Sequence, residues 1–291
     1  MTALDPLVRT DATTVHPRLS LNQATIKYAD LREALDVTAR AGYSSIGLWR
    51  EPVAEVGVAE AMRLVAESGL RVSSLCRGGF FTVPEGPDRR AALDENRRAI
   101  DEASALGAPA LVLVAGGLPA GSRDLVGARA RVSEALAELA DYARGSGVQL
   151  AIEPLHPMYA SDRAVVSTLG QALDLAAPFE AAAVGVVVDT FHVWWDPQVL
   201  PQILRAGAEG RIASYQVCDW ATPLAADVLL SRHYVGEGVI DFELLTQTVV
   251  EAGYTGDIEV EIFHQEVWDT AYADVAAKVA AGFAEHVAPH L

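Results

Sequence analysis

Gly185-Val186-Val187-Val188-Asp189-Thr190-Phe191-His192 decides the fold. A strand with one face in water alternates apolar and polar residues, whereas three successive valines demand cover on both faces, as in a parallel sheet wrapped by helices. The run closes on Asp189, a carboxylate at the C-terminal end of a buried strand. Three other segments repeat the design: Leu150-Ala151-Ile152-Glu153-Pro154, Tyr215-Gln216-Val217 and Ile258-Glu259-Val260-Glu261-Ile262-Phe263. From Glu153 through Asp189 and Gln216 to Glu261 the intervals are 36, 27 and 45 residues, averaging 36, about what 291 residues divided among eight strand–helix units give. Oxygen-bearing side chains delivered once per unit to the strand ends suit one site on a barrel rim, and oxygen-rich clusters suit a divalent metal ion.

Working outward, strand-like runs fall at Leu19–Asn22, Ser45–Trp49, Val72–Cys76, Ala110–Val114, Gln149–Glu153, Gly185–Asp189, Ile212–Cys218 and Ile258–Phe263. Stretches with helical spacing lie between them, among them Asp30–Arg40, Ala91–Leu106, Ala128–Arg144 and Glu243–Ala252, with a last helix near Asp274–Val287. Gly42, Gly69, Gly107, Gly147, Gly210 and Gly253 stand between a helix and the next strand, where a left-handed residue ends a helix; the junction before Gly185 lacks one. Eight alternating units predict an α/β fold, one (β/α)8 TIM barrel over 1–291, with 1–16 as an irregular lead-in. No Gly-x-Gly-x-x-Gly follows the first strand, which removes the main support for a dinucleotide fold.

The chain is 51% apolar, enough for a large core, and carries a net charge of −17, which opposes binding to phosphate backbones or anionic membranes. Neither a nucleic-acid nor a membrane partner is expected. The start, Met1-Thr2-Ala3-Leu4-Asp5-Pro6, lacks a basic region and an apolar run, and no later stretch reaches the about 18 apolar residues of a spanning helix. A cytoplasmic protein is the expectation. Cys76 and Cys218 read as reduced packing residues.

The strand-end residues have plainer readings. Asp189 suits a cap for the following turn and His192 a histidine satisfied beside it, but Trp194 and Trp195 follow, and aromatic walls with convergent polar groups suit a small-molecule pocket. Glu259 and Glu261 share the inward face of the last strand while Ile258, Val260 and Ile262 face the helices. Two inward glutamates need charge compensation. Glu261 is read as a metal ligand, and Glu259, one layer deeper, is open between a direct and a structural role. Glu153 leads into Pro154-Leu155-His156-Pro157, where His156 either touches substrate or is satisfied by backbone. Arg163 and Arg232 are candidates to anchor substrate hydroxyls or an anionic group, against a solvated-surface alternative. Trp49, Trp194, Trp195, Trp220 and Trp268 either build a wide aromatic pocket or pack under helices.

The strand-end Glu153 before Pro154, Asp189-x-x-His192, Gln216 ahead of Asp219, the Gly236-Glu237-Gly238-Val239-Ile240-Asp241-Phe242 loop and Glu261-Ile262-Phe263 resemble the sugar phosphate isomerase/epimerase group of xylose isomerase-like TIM barrels. The likeness runs from about Leu19 to the C-terminus. It implies that Glu153, Asp189, Gln216 and Glu261 bind Mn²⁺, or Mg²⁺ or Co²⁺, that Glu153 and Glu261 also move protons, and that His192 hydrogen-bonds a substrate oxygen. Two departures stand out. Many members place His where this chain has Gln216, and a carbonyl oxygen binds softer metals less well than imidazole. An arginine that contacts ketose hydroxyls in epimerases has no counterpart in Trp220-Ala221-Thr222-Pro223.

The reading that follows is a metal-dependent isomerase or epimerase of a small sugar or polyol derivative. The ion stabilises a developing enediolate while two glutamates exchange a proton with carbon. The alternatives are a lyase on the same scaffold, either an inosose-type dehydratase or an enzyme cleaving carbon–glycosyl bonds, and a non-catalytic barrel subunit of an assembly. A homo-oligomer is compatible with all three. A fold-related apurinic endonuclease fits least, because it needs a His-rich multi-metal site and a basic groove.

Overall fold

A computed structural model describes residues 15–291, so the lead-in, apart from its last two residues, lies outside the described part. Eight parallel strands close into a barrel: β1 Leu19–Asn22, β2 Ser45–Trp49, β3 Arg71–Gly79, β4 Ala110–Val114, β5 Gln149–Glu153, β6 Val184–Asp189, β7 Ile212–Val217 and β8 Ile258–Val260. Each pairs with its sequence neighbours, and β1 closes the ring on β8 through Leu19↔Ile258 and Leu21↔Val260. Eight outer helices follow the strands: α1 Leu31–Arg40, α2 Val58–Ser68, α3 Pro87–Leu106, α4 Leu125–Gly145, α5 Leu169–Ala176, α6 Val199–Ala208, α7 Phe242–Glu251 and α8 Tyr272–His286. Among the described residues no helix is long and apolar enough to cross a membrane.

Local chemistry sets these boundaries. Asp30, Asp124 and Asp241 each precede a helix and accept a backbone N–H of its first turn, satisfying donors the helix itself leaves free. All six glycines named above take positive φ, from 65° at Gly210 to 87° at Gly42. The junction without such a glycine, between α5 and β6, is tied differently. Arg211 donates from Nη1 to the Val184 carbonyl (2.8 Å) and from Nη2 to that of Phe179 (2.7 Å), so a side chain does the work that backbone geometry does elsewhere.

Four strands differ from their expected bounds, β6 and β7 by a single residue, at Val184 and Val217, and β3 and β8 by more. β3 runs on to Gly79, past Cys76, because Gly78 and Gly79 lack side chains that would strike Asn96, Leu113 and the Val114 carbonyl. The regular part of β8 stops at Val260, although Glu261 still donates weakly to the Val217 carbonyl (3.4 Å). Glu261 therefore keeps the strand's inward direction just beyond its end.

The apolar core divides into a shell and a plug. The shell lies between strands and helices and includes Ile258, Val260 and Ile262, as the alternation predicted. The plug is small: Cys76, Ala110, Val112, Ala151 and Val187 inside the barrel, with Trp49 against them. Both cysteines are buried free thiols. Above the plug the interior turns polar, and there the strand-end carboxylates gather.

Candidate metal and substrate site

A cavity of about 410 Å³ opens at the C-terminal mouth of the barrel, lined among others by Trp49, Glu153, Arg163, His192, Arg232 and Glu261. Its size is that of a small-molecule site. Glu153 arrives from the end of β5, Asp189 from β6, and Glu261 from just past β8. Asp189 Oδ1 accepts the Phe191 N–H (2.8 Å), which starts a short turn over Thr190–Val193 and carries His192 back over the same strand end. The cap and the site are thus one arrangement: one oxygen fixes the turn and the other faces inward.

Glu153, Asp189 and His192 each bring an atom within 4.8 Å of the others, a cluster that could hold a divalent ion. Gln216 sits beside Asp189 and Glu259 in the ladder, and its buried Oε1 has no hydrogen-bond partner. A buried carbonyl without a donor is costly unless something electropositive reaches it. Burial drives the Glu153 carboxyl well above the usual range, and the charges of Asp189 and Glu261 push it further. Burial also raises Asp189, against the pull of Arg232, and lifts Glu261 to about 7. Three carboxylates pressed toward their neutral acids, with one guanidinium among them, are a set short of positive charge. A divalent ion fits that deficit.

Arg232 supplies the positive charge that is present. It belongs to a two-residue antiparallel ribbon, Asp219–Trp220 with Arg232–His233, that folds back over the end of β7. Its Nη1 donates to Glu261 Oε2 (2.7 Å) and Asp189 Oδ2 (3.1 Å). The guanidinium lies between the Phe191 and Phe263 rings, 4.8 and 5.1 Å from their centroids. Burial opposes its charge, but Asp189, Cys218, Glu261 and Glu153 outweigh that and raise its pKa. Asp219 anchors the ribbon: its carboxylate accepts the N–H groups of Trp220, Gly236, Gly238 and Ile240 at 2.8–3.0 Å.

His192 is neutral, because burial, then the charge of Arg232, hold its pKa well below the usual value. Its Nδ1 accepts the His156 backbone N–H (3.1 Å). A neutral ring has one N–H, so Nε2 carries the proton. Nε2 lies 3.9 Å from Glu153 Oε1 and 3.8 Å from Asp189 Oδ2, facing inward as a donor.

The model of the family described as "Xylose isomerase-like TIM barrel" matches residues 35–283. The chain belongs to that family. A solved structure of protein SMc04130 from Sinorhizobium meliloti 1021 is similar to this xylose isomerase-like barrel at 45% identity, with a TM-score of 0.89, over 93% of this chain and 98% of that one. The IOLI protein, solved with a binding zinc atom, shares the fold at 20% identity and a TM-score of 0.80, over 94% of this chain and 99% of that one. Among curated relatives, an inosose isomerase of Bacillus licheniformis is 29% identical over 46% of this chain and 47% of its own. A 3-dehydroshikimate dehydratase of Pseudomonas aeruginosa is 29% identical over 80% of this chain and 36% of its own. The chain thus spans about half or less of the length of these two. An L-ribulose-5-phosphate 3-epimerase of Salmonella typhi is 28% identical over 74% of this chain and 71% of its own.

In this xylose isomerase-like barrel Glu153, Asp189, Glu261, His192 and Arg232 converge, and Gln216 lies in the strand beside Asp189. Trp49 and Arg163 line the cavity. His156 does not: its ring Nδ1 accepts the Met158 N–H (3.3 Å), its ring packs on Trp195 and Trp220, and its backbone rather than its imidazole serves the site. The five-tryptophan pocket also does not form. Trp220 lies against Phe191 and Trp194, Trp195 Nε1 is bonded to the His192 carbonyl, and Trp268 Nε1 to that of Ala24. Glu259 is buried beneath the site; its Oε2 accepts from Asn22 Nδ2 (3.0 Å), whose Oδ1 takes Trp49 Nε1 (2.9 Å). The segment Trp220-Ala221-Thr222-Pro223 carries no arginine of its own, but the ribbon pairs Trp220 with Arg232 and so brings a guanidinium to the same place. Lys27 and Arg77 at the mouth were not singled out in the sequence. They carry no motif, and only the barrel's closure brings them there.

Proposed function

We propose that this chain is a divalent-metal-dependent isomerase or epimerase acting on a small sugar or polyol derivative. The observation that carries the reading is the deficit of positive charge among Glu153, Asp189 and Glu261 beside the partnerless Gln216 carbonyl. Glu153, Asp189, Gln216 and Glu261 are the residues that would hold the ion. When bound, it would polarise a substrate carbonyl and lower the barrier to removing a neighbouring proton.

The chain's own groups then divide the work. Glu153 and Glu261 reach the cavity from β5 and β8, on different sides of the mouth, so one can take a proton from carbon and the other return it. Burial raises both carboxyls, and it brings Glu261 to about 7, where a carboxyl can both take and return a proton near neutral pH. His192 Nε2–H is aimed to donate to a substrate oxygen. Trp49 and Phe263, edge to face with centroids 5.6 Å apart, form an apolar wall. Likeness to an inosose isomerase and an L-ribulose-5-phosphate 3-epimerase supports the substrate class. A dehydration on the same site is the second reading, favoured by the dehydratase match across 80% of the chain.

The test is hydrogen exchange at carbon. Ion-loaded protein in heavy water, given L-ribulose, L-ribulose 5-phosphate, an inosose and 3-dehydroshikimate, is expected to place deuterium beside a carbonyl of one of them, read by mass spectrometry. Loss of water from the same compound would select the dehydration. No exchange from protein with stoichiometric metal would sink both for these substrates, and protein that takes up no metal would point to a non-catalytic barrel.

A further inference from the structure

Arg232 contacts the same groups that the proposed ion needs. Its Nη1 is bonded to Glu261 Oε2 at 2.7 Å and to Asp189 Oδ2 at 3.1 Å. These oxygens belong to two of the four residues assigned above to the ion. A guanidinium and a divalent cation on one carboxylate oxygen repel each other, and among buried side chains that repulsion is weakly screened. The site as a whole has charge to spare for both cations, but on these two oxygens they compete.

The seat that Arg232 occupies is strong in charge but incomplete in hydrogen bonds. Its Nη2 lies 2.9 Å from His192 Nε2. Because His192 Nδ1 already accepts the His156 N–H, Nε2 bears the ring's hydrogen, and two donors face each other with no acceptor between them. Arg232 Nε is buried without a partner. A guanidinium has five N–H donors to satisfy, and here Nε and one arm lack acceptors. The side chain also lines the 410 Å³ cavity beside Phe263, so space adjoins the seat.

We propose that Arg232 is the resident cation of the ion-free site and that a divalent ion displaces its guanidinium from Asp189 and Glu261 into the cavity, where it serves as a donor to substrate oxygens. Ion binding and substrate binding are then coupled: the event that completes the metal site also frees the arginine. The proposal rests on the metal reading above and adds to it that the ion must compete with a side chain.

The experiment is a calorimetric titration of EDTA-stripped protein with Mn²⁺, comparing the natural chain with Arg232→Met. Removing the competitor is expected to tighten Mn²⁺ binding by about tenfold or more. Unchanged or weaker binding in the variant, with the natural chain still binding Mn²⁺, overturns the competition and leaves the metal reading standing. If neither protein binds Mn²⁺, both fall. Should Arg232→Met fail to fold, the natural chain gives the answer by itself. Arg232 is expected to resist phenylglyoxal without Mn²⁺ and to be modified with it, as read by peptide mass mapping. Equal modification in both states overturns the displacement.

Discussion

Glu261 shows how position tunes a carboxyl. It follows the last strand by one residue, faces inward, and takes both burial and the Arg232 guanidinium, leaving its pKa at about 7. Glu261→Gln keeps the shape and removes the proton-carrying group, so deuterium exchange into substrate should fall by about 10² to 10⁴ while the melting curve stays near that of the natural chain. Near-normal exchange would show that the group is not the acid or base. The same shift has a consequence for stability. A carboxyl whose folded pKa is raised holds its proton above the pH at which the unfolded chain loses it, so it weakens the fold as pH rises. Glu153, Asp189 and Glu261 are all shifted in this direction. Protein kept in EDTA should therefore lose melting temperature between about pH 4.5 and 7, the window from the ordinary Glu value to that of Glu261. A bound ion, which favours the charged forms, should reduce the slope. A flat profile in EDTA would mean that the carboxylates are already balanced by protein charges alone.

At the scale of elements, the regular parts were legible because each strand obeys a local rule. Val186-Val187-Val188 needs two covered faces, Gly69 and Gly107 end helices at φ 72°, and Glu259 and Glu261 alternate with aliphatic neighbours. Those rules gave the strands and aimed the carboxylates inward. Arg232 obeys none of them. It lies 16 residues beyond Gln216, and its place depends on a two-residue ribbon held by Asp219, a tertiary fact with no period in the sequence. His156 and the tryptophans were ambiguous for a related reason: a loop aromatic beside a strand end can face the mouth or pack beneath it, and neighbouring side chains decide. The ribbon makes its own prediction. Asp219→Ala would leave the buried N–H of Ile240 and those of Gly236 and Gly238 without their acceptor. The expected cost is about 2–4 kcal/mol in urea unfolding, with faster proteolysis between 219 and 241. A loss below about 1 kcal/mol with an unchanged cleavage pattern would show that the ribbon is held by packing alone.

Across the whole molecule 39 acidic side chains outnumber 22 basic ones, whereas in the cavity lining the two signs balance, with Lys27, Arg77, Arg163 and Arg232 against Glu51, Glu55, Glu153 and Glu261. Lys27, Arg77 and Arg163 line the cavity, and among the described residues none has a carboxylate oxygen closer than 3.8 Å; the nearest are Asp162 to Arg163 at 3.8 Å and Glu51 to Arg77 at 3.9 Å. Each rests on an aromatic ring instead: Lys27 on Trp268 (4.3 Å), Arg77 on Phe80 (4.9 Å) and Arg163 on Tyr159 (5.6 Å). An aromatic face steadies a cation without consuming its N–H donors, whereas Arg50 at 2.8 Å from Glu95 has spent them. Donors left free at the rim of this cavity suit a substrate bearing phosphate or carboxylate, which they can bind by charge-assisted hydrogen bonds even though Glu51 and Glu55 share the lining. Replacing all three by Met should weaken binding of L-ribulose 5-phosphate by about tenfold or more and leave neutral L-ribulose within about twofold. Added salt should erode the natural chain's preference for the phosphorylated sugar, because partly exposed cations are screened within about 10 Å at 0.1 M. If the two sugars bind alike to the natural chain, or if the preference survives the triple substitution, the rim does not read substrate charge and selection lies deeper, with His192 and Arg232.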